Sequence, residues 1–164
     1  MIYGVNVEIL IKNFVNNRLK MSFEHQTQFA LSDHIFSYPV RVYYQDTDTG
    51  GVVYHANYLN FMERARYEWL REMGFSVDTL IRAHKTIFMV RSLNIEYFKP
   101  ALLDDLLHVT VQVTEIGRSR ITLFQQVLRD QVMLVSAIIH VVCVGVESLK
   151  PVSVPTPLRQ KIEK

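Results

Sequence analysis

Residues 57–73 carry an apolar stripe that a short chain has to cover. Tyr58, Met62, Ala65, Trp69 and Met73 recur at steps of four, three, four and four, while Glu63, Arg64, Glu68, Arg71 and Glu72 fill much of the opposite side. That spacing predicts a core-facing helix of about five turns. Asn57 is placed to cap its start, and Gly74 to end it as a left-handed residue. Arg64 and Glu68 stand at the i,i+4 spacing of a helical ion pair.

The second half of the chain supplies a surface to cover the stripe. After a short helical segment at 76–84 come four strand-like runs, residues 86–98, 105–116, 120–129 and 132–146. The second alternates cleanly, with Val109, Val111 and Val113 on one side and His108, Thr110, Gln112 and Thr114 on the other. Short GRS and RDQ connections predict antiparallel hairpins. A further β-rich run, residues 39–45, precedes the helix. One long helix and several antiparallel strands predict an α+β domain with a single sheet curled around the helix. The outer face of such a sheet is left partly bare, which predicts at least a dimer.

With 164 residues, 49% of them apolar, the chain is long enough for one proper core and short for two domains. Residues 36–150 are assigned to the domain, residues 1–35 to a weakly attached arm and residues 151–164 to a proline-broken tail on the surface. Met21 is an alternative start for the arm. The opening stretch lacks the basic start and the cleavage site of a signal peptide, and it carries Glu8. The longest apolar run, 132–146, falls short of the ~20 residues of a bilayer span and reads as a buried strand.

A net charge of +2 without any basic block argues against nucleic acid as a partner. The single cysteine, Cys143, lies in an apolar run and reads as a small buried hydrophobe, so nothing points to an oxidising compartment. His25, His34, His84, His108 and His140 show no metal-ligand spacing.

Residues 44–58, YQDTDTGGVVYHANY, hold the densest chemistry. Asp46 and Asp48 stand beside Gly50 and Gly51, just ahead of the helix. A helix N-terminus presents unpaired N–H groups and the positive end of its dipole to a developing oxyanion. Glycines let backbone approach a ligand closely. A carboxylate there can activate water or attack a carbonyl itself. The same residues also fit an ordinary turn in which both aspartates cap backbone groups. The apolar VVY directly after the glycines is unusual for an exposed loop and points to packing.

Residues 41–70, RVYYQDTDTGGVVYHANYLNFMERARYEWL, resemble the signature of the 4-hydroxybenzoyl-CoA-type thioesterases, a hotdog family, and within it the Tol–Pal-associated acyl-CoA thioesterases (YbgC-like proteins). The shared pattern is carried by Thr47, Asp48, Gly51, Val52, Val53, Tyr54, Asn57 and Tyr58, and the similarity extends over roughly residues 38–150. The resemblance implies a hotdog fold and hydrolysis of an acyl-CoA thioester. It implies Asp48 as nucleophile or general base and the backbone N–H of His55 as the group that polarises the thioester carbonyl. Gly51, Tyr54, Asn57 and Tyr58 then belong to the substrate site, with Asn57 and Tyr58 shaping the loop rather than performing chemistry, and Asp46 is structural. Some hotdog thioesterases use a helix glutamate, which would be Glu63 here, although charge on an exposed helix face is usually just solvated.

The resemblance further implies sites at a dimer interface, dimers paired into homotetramers, a cytoplasmic setting, and CoA lying along the outer surface near GRSR. Arg118 is the stronger candidate there for a CoA phosphate and Arg120 the weaker. The turn lacks the dense basic cluster of some relatives, so a carrier-protein thioester is an alternative substrate form. Water, a carboxylate and an oxyanion site suffice for this hydrolysis, so neither metal nor cofactor is expected. Two other readings compete. One is a hotdog module that docks acyl carrier protein or phospholipid-synthesis enzymes with little turnover. The other is a dehydratase or hydratase, whose His/Glu arrangement is not found in the sequence.

Overall fold

A computed structural model describes residues 35–164, so the expected arm, apart from Ile35, and the alternative start at Met21 lie outside the described residues. The elements run β1 (Phe36–Arg41), a 3-10 turn (Tyr44–Asp46), α1 (Asn57–Glu72), α2 (Val77–His84), β2 (Thr86–Tyr97), β3 (Leu106–Ile116), β4 (Arg120–Arg129), β5 (Val132–Gly145) and α3 (Thr156–Ile162). The strands form one antiparallel sheet in the order β1-β3-β4-β5-β2. The α+β expectation holds in detail, except that the first β-rich run ends at Arg41 and its last residues turn tightly instead.

The stripe of α1 lies against β3, β1 and β4. Tyr58, Phe61, Met62, Ala65 and Leu70 are buried, and Trp69 and Met73 pack partly buried at the margin. From the sheet they meet Leu107, Val109, Val111, Leu123 and Val127, the inward half of each alternating strand. Full burial of a side chain the size of Phe61 or Met62 is worth about 1.5–3 kcal/mol, so this seam dominates the fold. One polar group is built into it. Gln125, fully buried, donates from Nε2 to Met62 O at 3.1 Å and to Thr110 O at 3.2 Å, and its Oε1 accepts from Arg66 at 2.8 Å. The helix is thereby tied to the sheet at one register.

Two local expectations about α1 are corrected. Asn57 is the first helical residue and not its cap; Ala56 holds the cap position without any side-chain bond. The Asn57 amide is engaged elsewhere, with Nδ2 donating to Asp46 O at 3.0 Å. Glu68 pairs with Arg71 rather than with Arg64, whose guanidinium lies 5.8 Å from the centroid of Phe61. Gly74 does end the helix in the left-handed region, at φ +80°.

The C-terminal tail, expected on the surface, is part of the core. Val154, Leu158 and Ile162 are buried, and Pro155, at the cap position, and Pro157, in the first turn, suit the start of α3 rather than break it. Lys161 Nζ donates to Met73 O at 2.6 Å and satisfies a carbonyl at the end of α1. The burial of this segment was hidden in the sequence because only two of its seven helical residues face inward.

The N-terminal end of α1 is braced by the loop between β2 and β3. Tyr58, 2% exposed, accepts a bond at its hydroxyl from Ala101 N at 2.8 Å. Ala101 O accepts from Val53 N at 2.9 Å, and Val52 bridges Leu102. Asp105 anchors that loop by accepting from Leu102 N at 2.7 Å and from Arg129 at 2.5 Å.

The β4–β5 turn places Asp130 and Gln131 at φ +48° and +69°, the two successive left-handed positions of a primed hairpin turn. Gln131→Gly is expected to raise stability by about 0.5–1 kcal/mol, read from the urea midpoint, by removing a side chain from a left-handed position. Tyr58→Phe removes the acceptor of a buried N–H and is expected to cost about 1–3 kcal/mol. Burial raises the Tyr58 phenol above its ordinary 10.0. Stability from this group is therefore complete below the ordinary tyrosine value and lost as pH rises through the raised one. A urea series in alkaline buffer should show that loss shrinking in Tyr58→Phe.

Candidate active site

The loop that joins β1 to α1 is itself a miniature hairpin. Thr47 bridges Val53, Asp48 N donates to Val52 O at 2.9 Å, and Gly51 N donates back to Asp48 O at 3.0 Å. A three-residue turn of this form needs a left-handed residue at its end, and Gly51 supplies it at φ +75°. Gly50 serves a different need. A Cβ there would stand 3.0 Å from Asp48 Oδ1, which instead accepts from Gly50 N at 2.7 Å. The double glycine thus shapes the turn around Asp48.

Asp48 lies exposed at the tip of this turn, with one oxygen fixed on Gly50 N and Oδ2 without a hydrogen-bond partner among the described residues. Asp46 is its opposite. It is 5% exposed, and its Oδ2 accepts from Tyr43 N at 2.9 Å. Its carbonyl accepts from Tyr54 N at 2.9 Å and from Asn57 Nδ2 at 3.0 Å. The two aspartates of one short segment are therefore split between a buried anchor and an open carboxylate.

His55 and Ala56 come directly after this hairpin, at the mouth of α1. Their backbone N–H groups meet no acceptor among the described residues, whereas Asn57 N already donates to Tyr54 O at 2.8 Å. Two such groups at the positive end of a sixteen-residue helix suit an anionic oxygen. His55 O accepts from Tyr97 Oη at 3.0 Å, which fixes the peptide plane on the far side. His55 is exposed, its ring tilted against that of Tyr54, itself exposed, at 4.4 Å between centroids, with Tyr97 edge-on at 6.5 Å. Burial raises the Tyr97 phenol, keeping it a donor. Val53, His55, Tyr58, Tyr97, Lys99 and Pro100 surround a cavity of about 270 Å³. Of the residues singled out in the sequence, Gly51 bonds Asp48, Tyr54 lies against His55, Tyr58 lines the cavity beside His55, and Asn57 bonds Asp46. Arg118 lies apart, on the β3–β4 turn, with its Nε donating to Ser153 Oγ at 3.1 Å.

A second cavity, of about 130 Å³, runs along the flank of α1 between Glu63, Arg66, Tyr67, Leu70 and the β2 residues Phe88 and Val90. Glu63 accepts from Tyr67 Oη at 3.2 Å. Burial lowers the Arg66 guanidinium from its ordinary value, with Glu63 and Tyr67 acting in the opposite sense. Arg66 and Tyr97 carried no motif in the sequence; only the fold brings them to the walls of these cavities.

No helix among the described residues is long and apolar enough to cross a membrane. A family model described as the thioesterase-like superfamily matches residues 42–162. An acyl-CoA thioesterase YbgC of Haemophilus influenzae is 46% identical over 127 residues, covering 77% of this chain and 93% of that one. Among solved structures, a probable thioesterase from Bartonella henselae superposes with a TM-score of 0.72 at 35% identity, covering 74% of this chain and all of its own. A 1,4-dihydroxy-2-naphthoyl-CoA thioesterase from Synechocystis superposes at 0.73 with 27% identity, over 79% of this chain and 96% of its own. With the family match reaching from the end of β1 to the end of α3, the chain belongs to the thioesterase-like superfamily and has its hotdog fold.

Proposed function

We propose that the protein hydrolyses acyl-CoA thioesters to a free acid and CoA, with the chemistry centred on Asp48 and the His55 amide. The observation that carries this reading is that one short segment holds both an open carboxylate, fixed by Gly50 N, and two N–H groups at the start of α1 that meet no acceptor among the described residues. In this mechanism the thioester oxygen rests on the His55 N–H, which stabilises the charge that develops as the carbonyl becomes tetrahedral. Asp48 either takes the proton of the attacking water or attacks the acyl carbon directly. In the first route water adds to the acyl carbon and supplies the second oxygen of the acid; in the second an Asp48–acyl anhydride forms and water then cleaves it to the acid, restoring the carboxylate. In both the carbon–sulfur bond breaks and the CoA sulfur leaves as thiolate and takes up a proton. Tyr54, Tyr58 and Tyr97 wall the approach. The hotdog module that docks acyl carrier protein or phospholipid-synthesis enzymes without turnover has no such need for an open carboxylate in the segment that leads into a helix N-terminus. A role beside the Tol–Pal system and acyl carrier protein as a carrier of substrate remain compatible with the enzyme.

A second copy of the chain completes the site in this proposal. β1 is a short edge interrupted by Pro39, but β2 is a twelve-residue edge with Met89, Val90, Leu93 and Tyr97 exposed. Such an edge invites a partner strand. Pairing two β2 edges antiparallel about a two-fold axis joins the five-stranded sheets and brings the Tyr97 end of one strand beside the Phe88 end of the other. The His55 cavity of one protomer then adjoins the Glu63–Phe88 cavity of its partner, and the second cavity takes the acyl group. Dimers pairing into homotetramers extend this assembly, and the cytoplasm, where the thiol of Cys143 stays reduced, is its setting.

Asp48→Asn is expected to lower kcat on a panel of acyl-CoA thioesters by at least about a hundredfold with the fold intact. A rate equal to wild type on every member would remove Asp48 from the mechanism. Label in the Asp48 carboxylate after a single turnover in ¹⁸O water identifies it as the nucleophile, with water opening the anhydride at the aspartyl carbon. Leu93→Arg at the β2 edge is expected to halve the dimer mass in sedimentation and to abolish turnover together. An active monomer would contradict the shared site.

A further inference from the structure

The β3–β4 turn is only three residues, Gly117, Arg118 and Ser119, and its own hairpin fixes little of it: Gly117 N donates to Arg120 O at 2.8 Å. The rest of its bonds come from elsewhere in the chain. Cys143 N, on β5, donates to Ser119 O at 2.8 Å, and Val154 N donates to Arg118 O at 2.8 Å. The Arg159 guanidinium donates to Gly117 O and, at 3.5 Å, to Arg118 O. Arg118 Nε donates to Ser153 Oγ at 3.1 Å. Arg159 is itself held in place. It sits next to the fully buried Leu158, and its Nη1 donates to Glu163 at 3.0 Å.

These bonds bear on charge as well as shape. Two carbonyl oxygens at the tip of a turn repel an incoming phosphate, and the Arg159 cation covers both. With Nε committed to Ser153, Arg118 keeps its two terminal amino groups as a fork of fixed direction, the geometry that binds a phosphate through two parallel bonds. We propose that Ser153 and Arg159 are positioning residues for the nucleotide end of CoA, presetting the Arg118 fork from the C-terminal segment. The inference rests on the reading of the protein as an acyl-CoA thioesterase in which Arg118 meets a CoA phosphate.

Steady-state kinetics of the full chain on one acyl group, carried either by CoA or by pantetheine without the nucleotide, tests it. Ser153→Ala and Arg159→Met are each expected to raise KM for the CoA thioester about three- to tenfold, the worth of one hydrogen bond, with kcat unchanged and KM for the pantetheine thioester unmoved. Arg159→Lys recovers part of the loss, because an ammonium still reaches one of the carbonyls. Ser153→Ala adds nothing once Arg118→Ala is present, since both act through the same fork. Unchanged KM values in both positioning variants, or equal rises on both thioesters, would overturn the proposal. Ser153 is exposed, so its variant reports even where Arg159→Met impairs folding. If Arg118→Ala leaves KM for the CoA thioester unaltered while turnover persists, the positioning role falls and the enzyme stands. Absence of turnover on either thioester by wild type would instead sink the enzyme reading, and the positioning role with it.

Discussion

The apolar stripe of α1 has one surface to lie on, and that contact decides where everything else can be. With Phe61, Met62 and Ala65 seated on the inward faces of β3 and β4, and Gln125 bonding the Met62 carbonyl, the helix cannot slide or turn about its axis. Its first turn then emerges beside the β2–β3 loop, where Tyr58 receives Ala101 N. The hairpin at 47–53 is thus fastened on both sides, to the helix through Asp46 and Asn57 and to the loop through Val52 and Val53. An exposed carboxylate is ordinarily mobile. Here its backbone is placed by buried groups on two elements, which is how a surface residue comes to have a defined direction.

Much of this was legible in the sequence because the signals were local. A 3.6-residue stripe and clean alternation in β3 marked the helix, the strands and the sheet that covers them. The residues of the 44–58 segment fold against one another, so their pattern could be recognised without long-range information. What escaped was what depends on distance along the chain. Asn57 looked like a cap because capping is judged from neighbours, but its partner is Asp46, eleven residues back. Tyr97 reaches His55 across forty-two residues, and Gln125 reaches Met62 across sixty-three. No periodicity marks such pairs. The tail was misjudged for a related reason: two buried residues in one short helix make too weak a pattern to outweigh the prolines, although those prolines suit its start.

Asp46 and Asp48 show how little residue type alone decides. Both are aspartates, two positions apart, in the same turn. The 3-10 turn at Tyr44–Asp46 directs the first inward, where Tyr43 N takes one of its oxygens, and the hairpin directs the second outward over Gly50. A buried carboxylate that accepts backbone N–H groups is a fastening, while one with a free oxygen beside a helix mouth can meet a substrate. Glu63 falls between them, on the exposed flank of α1 but bordering a cavity with Tyr67 and Arg66. Within one protomer it stands about two turns along α1 from the N–H groups of His55 and Ala56, out of reach of a carbonyl resting on them.

A thioester of CoA is a long molecule with three chemically distinct parts, and the sites proposed for them differ in kind. In the proposed mechanism the reacting carbonyl meets a short, heavily fastened hairpin at a helix start. The acyl group calls for apolar walls, which α1 and the β2 edge can provide only where a sheet edge is left open. The nucleotide carries its charge far from both, at the surface, where a lone exposed arginine is a poor ligand because most of its rotamers point elsewhere. Tying Arg118 to Ser153, and its turn to Arg159, converts a flexible surface side chain into a directed one. This gives a physical reason for the tail to be buried. A helix anchored by Leu158 can hold Arg159 steady under the turn, and a tail free on the surface could not.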